Sequence, residues 1–260
     1  MSFETLRLEQ DGQIAVLTLN RPEKRNAISP EMITELLDVF DEVEYGATKA
    51  LILTGAGQAF CAGMDLQALK NFEAPSQEQL IADARRISEV FQRLYSFSKP
   101  SVAAVNGVAV AGGCGLATLC DFTLATPGTK FGYTEVRVGF IPALVAAYLV
   151  RQIGEKPARS LLLSGRIFDA AEAKTMGLVN EIVEPEKLLP RAWELATSLA
   201  EMSPVALGHT KRLLRSFSEA ELLRETELAI EASARVRGTE DFREGLTSFL
   251  EKRKPKWGGR

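Results

Sequence analysis

Apolar positions near the start of the chain change from the spacing of strands to the spacing of a helix. Residues 5–20 alternate around the turn Asp11-Gly12, which predicts a β-hairpin. Ser29-Pro30 is a typical helix start, because serine caps and proline suits the first helical position. The apolar residues that follow recur at helical spacing, at Ile33, Leu36, Leu37, Phe40 and Val43. The first segment is therefore predicted to be a hairpin followed by an amphipathic helix.

A second series of strand and helix patterns covers residues 50–119. Residues 50–54, ALILT, predict a short buried strand. Ser76 and Gln79 fit a capping box that opens a long helix, whose apolar stripe is Ile81, Ala84, Ile87, Val90, Phe91 and Leu94. A strand, a loop and the first turns of a helix are then predicted over 101–106, 107–113 and 114–119. This alternation favours a wound α/β core.

The last third of the chain is predominantly helical in pattern. Two helices, within residues 142–154 and 169–177, end at glycine. From about residue 186 the helical spacing continues, with breaks at Pro204 and Gly238 and no convincing strand. The C-terminal quarter is therefore predicted to be a helical appendage to the α/β core.

Composition and charge exclude several classes of protein. The 260 residues are 46% apolar and 25% charged, enough for a full core. A net charge of −3 without a basic stripe argues against nucleic-acid binding. The absence of a long apolar run and of a signal-peptide pattern predicts a cytoplasmic protein that does not bind membranes. Three cysteines favour reduced thiols, and the single histidine, His209, lies far from them, so no metal site is expected.

Four glycines lie between residues 104 and 121, in AVNGVAVAGGCGLATLCD. Their spacing fits neither a nucleotide-binding loop nor a dinucleotide fingerprint. A strand that leads into a helix leaves backbone N–H groups free, and glycine lets a carbonyl oxygen approach them. Residues 61–64 also follow a strand and precede a helical run. Two N–H donors from these separate loops would polarise one carbonyl group, as in an oxyanion hole.

Five segments together resemble the crotonase family, also called the enoyl-CoA hydratase/isomerase family, over essentially the whole chain. They are RPEKRNAIS, AFCAGMDL, KPSVAAVNGVAVAGGCGLATLCD, FGYTEVRVGFIP and EGLTSFLEKRKPKW. The resemblance implies a ClpP-like spiral of ββα units over residues 1–195 and a helical oligomerisation region over 196–260. It also implies a homotrimer or a dimer of trimers. Acyl-CoA is the implied ligand, with its thioester oxygen held by the N–H groups of Met64 and Gly112 and with no cofactor besides the CoA of the substrate.

The same resemblance assigns residues to the CoA moiety and to the acyl pocket. Lys24 and Arg25 are expected to bind phosphate, although two solvated loop cations are the alternative. Phe249 is expected to reach the CoA of a neighbouring subunit. Other substrate-binding positions are expected at Ala27, which would contact CoA through its backbone, and around the two turns, at Ala62, Asp65, Leu66 and Gly113. Asp65 is also expected to cap the helix after Met64.

Hydratases of this family use two glutamates, and this chain keeps one of them. Gly115 occupies the first position and Glu135 the second. Apolar neighbours of Glu135 are expected to move its pKa toward neutrality, as a general acid–base group requires. Hydration of a 2-enoyl-CoA is the favoured reaction. The alternatives are double-bond isomerisation by the single glutamate and a non-catalytic acyl-CoA-binding subunit.

Gly115, TEVRVGFIPA and the ending FLEKRKPKW together resemble bacterial hydratases that act on branched or glutaconyl-type thioesters, such as 3-methylglutaconyl-CoA. If the segment around Glu135 is extended, Tyr133, Glu135 and Arg137 share one face. Tyr133 would then help to hold water and Arg137 would meet a distal carboxylate, whereas a helical turn would scatter the three. Cys114 is not expected to be a nucleophile, since no neighbouring histidine or lysine would lower its pKa.

Overall fold

The computed structural model describes residues 3–70 and 75–259. Its strands are β1 (Leu6–Asp11), β2 (Ile14–Leu19), β3 (Ala50–Gly55), β4 (Ala59–Cys61), β5 (Ser101–Val105), β6 (Val108–Val110), β7 (Phe122–Ala125), β8 (Lys130–Gly132), β9 (Ile167–Asp169) and β10 (Glu181–Ile182). Its helices are α1 (Pro30–Tyr45), α2 (Leu66–Lys70), α3 (Gln77–Ser96), α4 (Gly112–Leu119), α5 (Ala143–Ile153), α6 (Glu155–Ser164), α7 (Ala170–Thr175), α8 (Leu188–Ala200), α9 (Pro204–Ser216), α10 (Glu219–Arg237) and α11 (Glu240–Leu250).

The strands form two sheets, and from β3 to β8 consecutive strands alternate between them. The first has the order β1-β2-β3-β5-β7-β10 and is parallel apart from the β1–β2 hairpin. The second has the order β4-β6-β8-β9, with β9 antiparallel to β8. Each of the pairs β3/β4, β5/β6 and β7/β8 therefore places one strand in each sheet before the chain enters a helix. This repetition is the predicted spiral of ββα units, and the predicted α/β fold class is confirmed.

The local signals of the first hundred residues are also confirmed. The hairpin turns at Gly12, which has a φ of 58°. At the start of α1 the N–H of Met32 donates to the Ser29 hydroxyl. At the start of α3 both hydrogen bonds of the Ser76–Gln79 capping box are present. Serine caps satisfy N–H groups that the helix itself leaves free, so these boundaries are readable from a few residues.

The core lies on both faces of the first sheet. Along β3, Leu51 and Leu53 join the main core with α1, α3 and α4, whereas Ala50 and Ile52 pack beneath α8. Because side chains of a strand alternate between its faces, burial of every β3 residue means that both faces are covered. The carboxyl ends of the central strands then carry the loops that build the site described below. None of the helices within residues 3–70 and 75–259 is long and apolar enough to cross a lipid bilayer.

The glycine-rich segment differs from its predicted secondary structure. Residues 107–113 were expected to form a loop, but Val108–Val110 is strand β6 and α4 begins at Gly112. A three-residue strand is too short to show alternation, and it exists here because β4 and β8 pair with it on either side. The chain can cross from β5 to β6 because Gly107 lies against the carbonyl of Gln58, where a Cβ would overlap that group.

Candidate active site

The two turns that were expected to supply N–H donors lie in direct contact. A Cβ added at Gly113 would overlap the carbonyl oxygen of Cys61. A Cβ at Gly63, whose φ is 83°, would lie 2.8 Å from the Cβ of Ala111 and 3.5 Å from the nitrogen of Gly112. The close approach of β4 and the start of α4 therefore depends on glycine at both contact points. It brings Met64 and Gly112 to the wall of one cavity.

The hydrogen bonds around these turns use the neighbouring N–H groups. The N–H of Asp65 donates to the Ile28 carbonyl at 2.9 Å, and the N–H of Cys114 donates to the Ala111 carbonyl at 3.0 Å. Within the described chain, no acceptor takes a hydrogen bond from the N–H of Met64 or of Gly112. The first of these follows a short strand and the second is at a helix start, where N–H groups have no intrahelical partner. Both groups can therefore bind a ligand oxygen.

Ala111 holds the second turn in a strained backbone conformation. Its φ of 50° and ψ of −128° lie in a region that residues with a Cβ rarely adopt. Its N–H donates to the Gly132 carbonyl at 2.7 Å, and its carbonyl accepts from Cys114 and Gly115. Such strain persists only when surrounding contacts determine the conformation. These contacts therefore fix the orientation of the peptide that carries the Gly112 N–H.

Glu135 lines the same cavity, on a 3-10 turn after β8. The turn covers Glu135–Val138, and the residue retains some exposure toward the cavity. Its Oε2 atom is nevertheless shielded from solvent and has no hydrogen-bond partner among the described residues. Burial raises the pKa of Glu135 to about 7, because the charged form loses hydration. Both protonation states are thus accessible near neutral pH, as was predicted from the apolar neighbours.

The 3-10 turn rests against α11 and the segment after it. Gly245 of α11 lies so close to the Val138 carbonyl that a Cβ there would overlap it. The rings of Phe140 and Phe242 are 5.3 Å apart. At Gly139, whose φ is 66°, a Cβ would lie 3.0 Å from the Trp257 ring. The position of Glu135 is therefore supported by residues more than a hundred positions away in the sequence.

Of the two arrangements considered for Tyr133, Glu135 and Arg137, the structure shows the helical turn, because Glu135–Val138 is a 3-10 turn rather than a strand. Tyr133 is buried, its hydroxyl lies 3.3 Å from that of Thr118, and it is not among the described residues that line the cavity. Burial raises the pKa of Tyr133 well above its usual value. Arg137 is exposed and packs near Gly165. Neither residue lies where the extended arrangement would place it.

Gly115 has no space for a larger side chain. A Cβ there would lie 2.5 Å from Val145 Cγ1 and 3.3 Å from Phe91 Cε1. Val145 and Phe91 both line the cavity, so apolar groups occupy the region where a carboxylate at position 115 would enter it. Glu135 is the sole acid among the described residues of the cavity wall. Cys114, beside Gly115, is fully buried, and burial raises its pKa to about 12, so it is no nucleophile.

The segment before α1 folds into a tight turn that contributes Arg25 to the cavity wall. Arg25 and Asn26 both have positive φ, and the buried Asn26 amide donates to the carbonyls of Ala56 and Ala59 at 2.9 and 2.8 Å. Arg25 lines the cavity, whereas Lys24 is exposed and donates to Gln67 Oε1 at 3.1 Å. The turn therefore places Arg25 in the cavity wall and Lys24 outside it.

The predicted site residues fall into two groups. Those that line the cavity are Arg25, Ala62, Met64, Leu66, Gly112, Glu135 and Phe249. Those outside the described lining are Lys24, Ala27, Asp65, Gly113 and Tyr133. Asp65 accepts from the N–H groups of Gln67 and Ala68, as its predicted capping role requires, and pairs with Arg21 at 3.0 Å. The carbonyl of Ala27 accepts from the same arginine, so these two residues stabilise the turn that carries Arg25.

Several lining residues were not predicted, because they come from helices that reach the cavity only in the folded chain. They are Ile87 and Phe91 of α3, Leu144 and Val145 of α5, Ser233 and Arg237 of α10, and Phe242 of α11. The α3 and α5 positions carry only the apolar pattern of core residues. In α10, however, the buried positions Ile230, Ser233, Ala234 and Arg237 follow helical spacing. Polar residues on the buried side of a helix are the signal that could have identified this wall.

No group of three or more metal-ligating side chains occurs in the part of the chain that the structure describes. The cysteines Cys61, Cys114 and Cys120 are free and buried. The polar groups in the cavity wall are thus two backbone N–H groups, a carboxyl group that can be neutral or ionised near pH 7, two guanidinium groups and side-chain hydroxyls. This set can bind a carbonyl oxygen and move a proton beside it.

Comparison with known proteins finds relatives that match almost the whole chain. The family model for enoyl-CoA hydratase/isomerase matches residues 9–260. A Thermus thermophilus protein is 45% identical over 249 residues, which are 95% of this chain and 98% of that protein. The crotonyl-CoA hydratase of Syntrophomonas wolfei is 35% identical over 98% of both chains. The crystal structure of an enoyl-CoA hydratase/isomerase from Xanthobacter autotrophicus Py2 superposes with a TM-score of 0.89 at 31% identity, covering 96% of this chain and 97% of the other. The chain belongs to the enoyl-CoA hydratase/isomerase family.

Proposed function

We propose that this protein reversibly hydrates the C2=C3 double bond of a 2-enoyl-CoA thioester, of the branched or glutaconyl type. The observation that supports this most directly is the meeting of the Met64 turn, the Gly112 turn and Glu135 at one cavity. Relatives named as hydratases support the same reaction.

In this proposal the N–H groups of Met64 and Gly112 bind the thioester oxygen. Addition of water at Cβ moves the electrons of the double bond toward that oxygen and forms an enolate. Two hydrogen bonds to the oxygen stabilise the enolate more than the substrate, because the negative charge develops there. Loss of one such donor typically raises the barrier by about 3 kcal/mol.

Glu135 transfers the protons. Its ionised form accepts a proton from the water molecule as the water oxygen bonds to Cβ. The protonated form then gives that proton to Cα, which converts the enolate to the 3-hydroxyacyl thioester and restores the carboxylate. One carboxyl group acts in both steps, since the wall at Gly115 is apolar. A pKa of about 7 suits a group that must accept and release a proton near neutral pH.

The proposal also covers binding and assembly. Arg25 would pair with CoA phosphate, and no cofactor besides the CoA of the substrate takes part. We expect a homotrimer or a dimer of trimers, in which residues 196–260 provide contacts between subunits. Helix α9 supports this, because it has no buried residue, and Val205, Leu213 and Leu214 in the helix and Phe217 directly after it are exposed. Phe249 lines the cavity although it is 59% exposed, which is consistent with completion of the site by a neighbour. A cytoplasmic location remains an expectation, supported by the free buried thiols.

Isomerisation of a 3-enoyl-CoA is the second candidate, because a single carboxyl group is sufficient to move a proton between Cα and Cγ. Assays in ¹⁸O-labelled water with crotonyl-CoA, 3-methylglutaconyl-CoA and a 3-enoyl-CoA separate the two reactions. Incorporation of labelled oxygen at Cβ is the expected result, with turnover reduced about 10²-fold in Glu135→Gln while CoA binding is retained. If the double bond of the 3-enoyl thioester moves into conjugation with the carbonyl without incorporation of ¹⁸O, isomerisation is favoured. If no thioester is converted, a non-catalytic binding subunit is favoured.

A further inference from the structure

The C-terminal segment, residues 251–259, folds back along α11 and is fixed there by two carboxylates. Glu244 Oε1 accepts a hydrogen bond from the N–H of Lys256 at 2.7 Å. Asp241 Oδ1 accepts one from the N–H of Gly258 at 2.7 Å. The two acids are three residues apart and therefore lie on the same face of α11. The backbone on either side of position 257 is thus attached to that helix.

The ring of Trp257, which this attachment orients, contacts the turn that carries Glu135. Gly139 ends that turn with a φ of 66°. A Cβ at Gly139 would lie 3.0 Å from Cζ3 of Trp257 and 2.5 Å from the Asp241 carbonyl oxygen. The end of the turn is therefore enclosed between the indole ring and the backbone of α11. Asp241 contributes to both sides of this enclosure, since its carboxylate fixes the segment and its carbonyl contacts Gly139.

The end of the turn is connected to Glu135 by backbone hydrogen bonds. The N–H of Phe140 donates to the Glu135 carbonyl at 3.1 Å, and the N–H of Gly139 donates to the Val136 carbonyl at 3.4 Å. The Glu135 carboxyl group has no such support at Oε2, which finds no hydrogen-bond partner in residues 3–70 and 75–259. The placement of this carboxyl group in the cavity therefore depends on the backbone of the turn and on what packs against it.

From these contacts, and resting on the proposed function, we infer that Trp257 is a positioning residue for Glu135 and that Asp241 holds Trp257 in place. The ring and the α11 backbone fix Gly139, and the turn then fixes the carboxyl group relative to the N–H groups that bind the thioester oxygen. Proton transfer depends steeply on such placement. Trp257 is not among the described residues that line the cavity, so its loss should slow proton transfer without weakening binding of the thioester.

Exchange of the Cα protons of butyryl-CoA in D₂O measures proton transfer without hydration. The Glu135 carboxylate takes a proton from Cα and leaves the enolate, the carboxyl proton exchanges with solvent, and a deuteron returns to Cα. At saturating thioester, Trp257→Ala should slow this exchange about tenfold, because a small displacement of the acid is costly. Isothermal titration calorimetry should show the same affinity for butyryl-CoA. An unchanged exchange rate, or a fall in affinity that accounts for the whole loss, would overturn the inference.

Two further variants distinguish positioning from a general loss of stability. Trp257→Phe keeps an aromatic ring against the turn and should recover most of the exchange rate. Tyr45→Ala removes a ring that is 83% exposed at the end of α1, and this control should change neither exchange nor affinity. If Trp257→Phe were as slow as Trp257→Ala, or if Tyr45→Ala were equally slow, contact between the ring and the turn would not be the cause.

Fluorescence tests the role of Asp241 independently of activity. The chain has two tryptophans, so a Trp193→Phe background leaves Trp257 as the single emitter. Asp241→Ala removes the acceptor of the segment's N–H groups, so quenching of Trp257 by acrylamide should rise and Cα exchange should fall. Asp241→Asn keeps an acceptor oxygen and should change both less. Glu186→Ala, at an exposed position, is the matched control and should change neither. Unchanged quenching in Asp241→Ala, or increased quenching without slower exchange, would contradict the inference.

Hydration assays with crotonyl-CoA and 3-methylglutaconyl-CoA on the same preparations separate this inference from the proposed function. Hydration with an equal kcat in the unmodified protein and in Trp257→Ala would retain the hydratase and overturn the positioning role. Exchange without hydration would reject the hydratase, and the exchange rates would still decide the role of Trp257. Where only hydration is observed, its kcat replaces the exchange rate in the same comparison. Absence of both reactions would reject the proposed function together with the inference that rests on it.

Discussion

Replacement of Glu135 by glutamine should stabilise the protein at alkaline pH while it removes activity. The pKa of this carboxyl group is raised from 4.5 to about 7 by burial. Between these values the folded protein binds a proton that the unfolded chain has released, so stability falls as the pH rises through this window. Glutamine has nearly the same shape and no charge. The variant should therefore escape this loss of stability.

The magnitude follows from the two pKa values. Full ionisation of the buried carboxyl group destabilises the folded state by at most about 3 kcal/mol, of which about 1 kcal/mol is already present at pH 5. The difference in free energy of unfolding between Glu135→Gln and the unmodified protein should therefore grow by about 2 kcal/mol from pH 5 to pH 8. Any constant contribution of the amide group cancels in this comparison.

Urea titrations at pH 5, 6, 7 and 8 would measure this difference at one protein concentration. Glu186→Gln, on an exposed 3-10 turn, is the control and should show no comparable dependence on pH. In parallel, kcat/KM of the unmodified enzyme should rise about tenfold per pH unit below about 7 and level off above it, because the ionised carboxylate starts the reaction. A stability difference that stays constant across the four pH values would refute the raised pKa of Glu135.

Three further predictions concern backbone contacts at the site. Gly113→Ala should destabilise the protein by about 3 kcal/mol and reduce activity, because its Cβ would overlap the Cys61 carbonyl. The Cβ of Gly112→Ala would have its nearest neighbour at 3.5 Å, so this control variant should unfold like the unmodified protein in thermal scans. Gly115→Glu should lower the urea concentration at the unfolding midpoint, because its side chain would clash with Val145. The double variant Gly115→Glu/Val145→Ala should recover part of this loss, and an unchanged midpoint in the single variant would contradict the prediction. Ala111→Gly should raise stability by about 1 kcal/mol in the same titration by relieving a φ of 50°, and a loss of stability would mean that the conformation is not strained.

Local features of the sequence predicted the fold well where a few neighbouring residues determine the structure. The hairpin turn at Gly12, the Ser29 cap and the Ser76–Gln79 capping box depend on contacts within a few positions. The strands β4 and β6 are different, because three residues carry no clear alternation and become a strand only by pairing with distant partners.

The candidate site shows the same division. The Met64 and Gly112 turns and Glu135 were found because each stands in a distinctive segment, and the structure brings them to one cavity. The sequence drew attention to Arg137 because it is a neighbour of Glu135, whereas the structure places Arg237 in the cavity wall, which it reaches only when α10 packs on α3. Likewise, the tight contact of Gly115 with Val145 joins two helices and exists only in the folded chain.

The support that α11 gives to the Glu135 turn has a consequence for folding during synthesis. A ribosome-bound chain that has emerged only as far as residue 238 already contains Met64, Gly112 and Glu135. It lacks Phe242 and Gly245, which contact Phe140 and Val138 beside Glu135 in the folded protein. In the proposed mechanism, the acid would therefore reach its final position only after the last helix has been made.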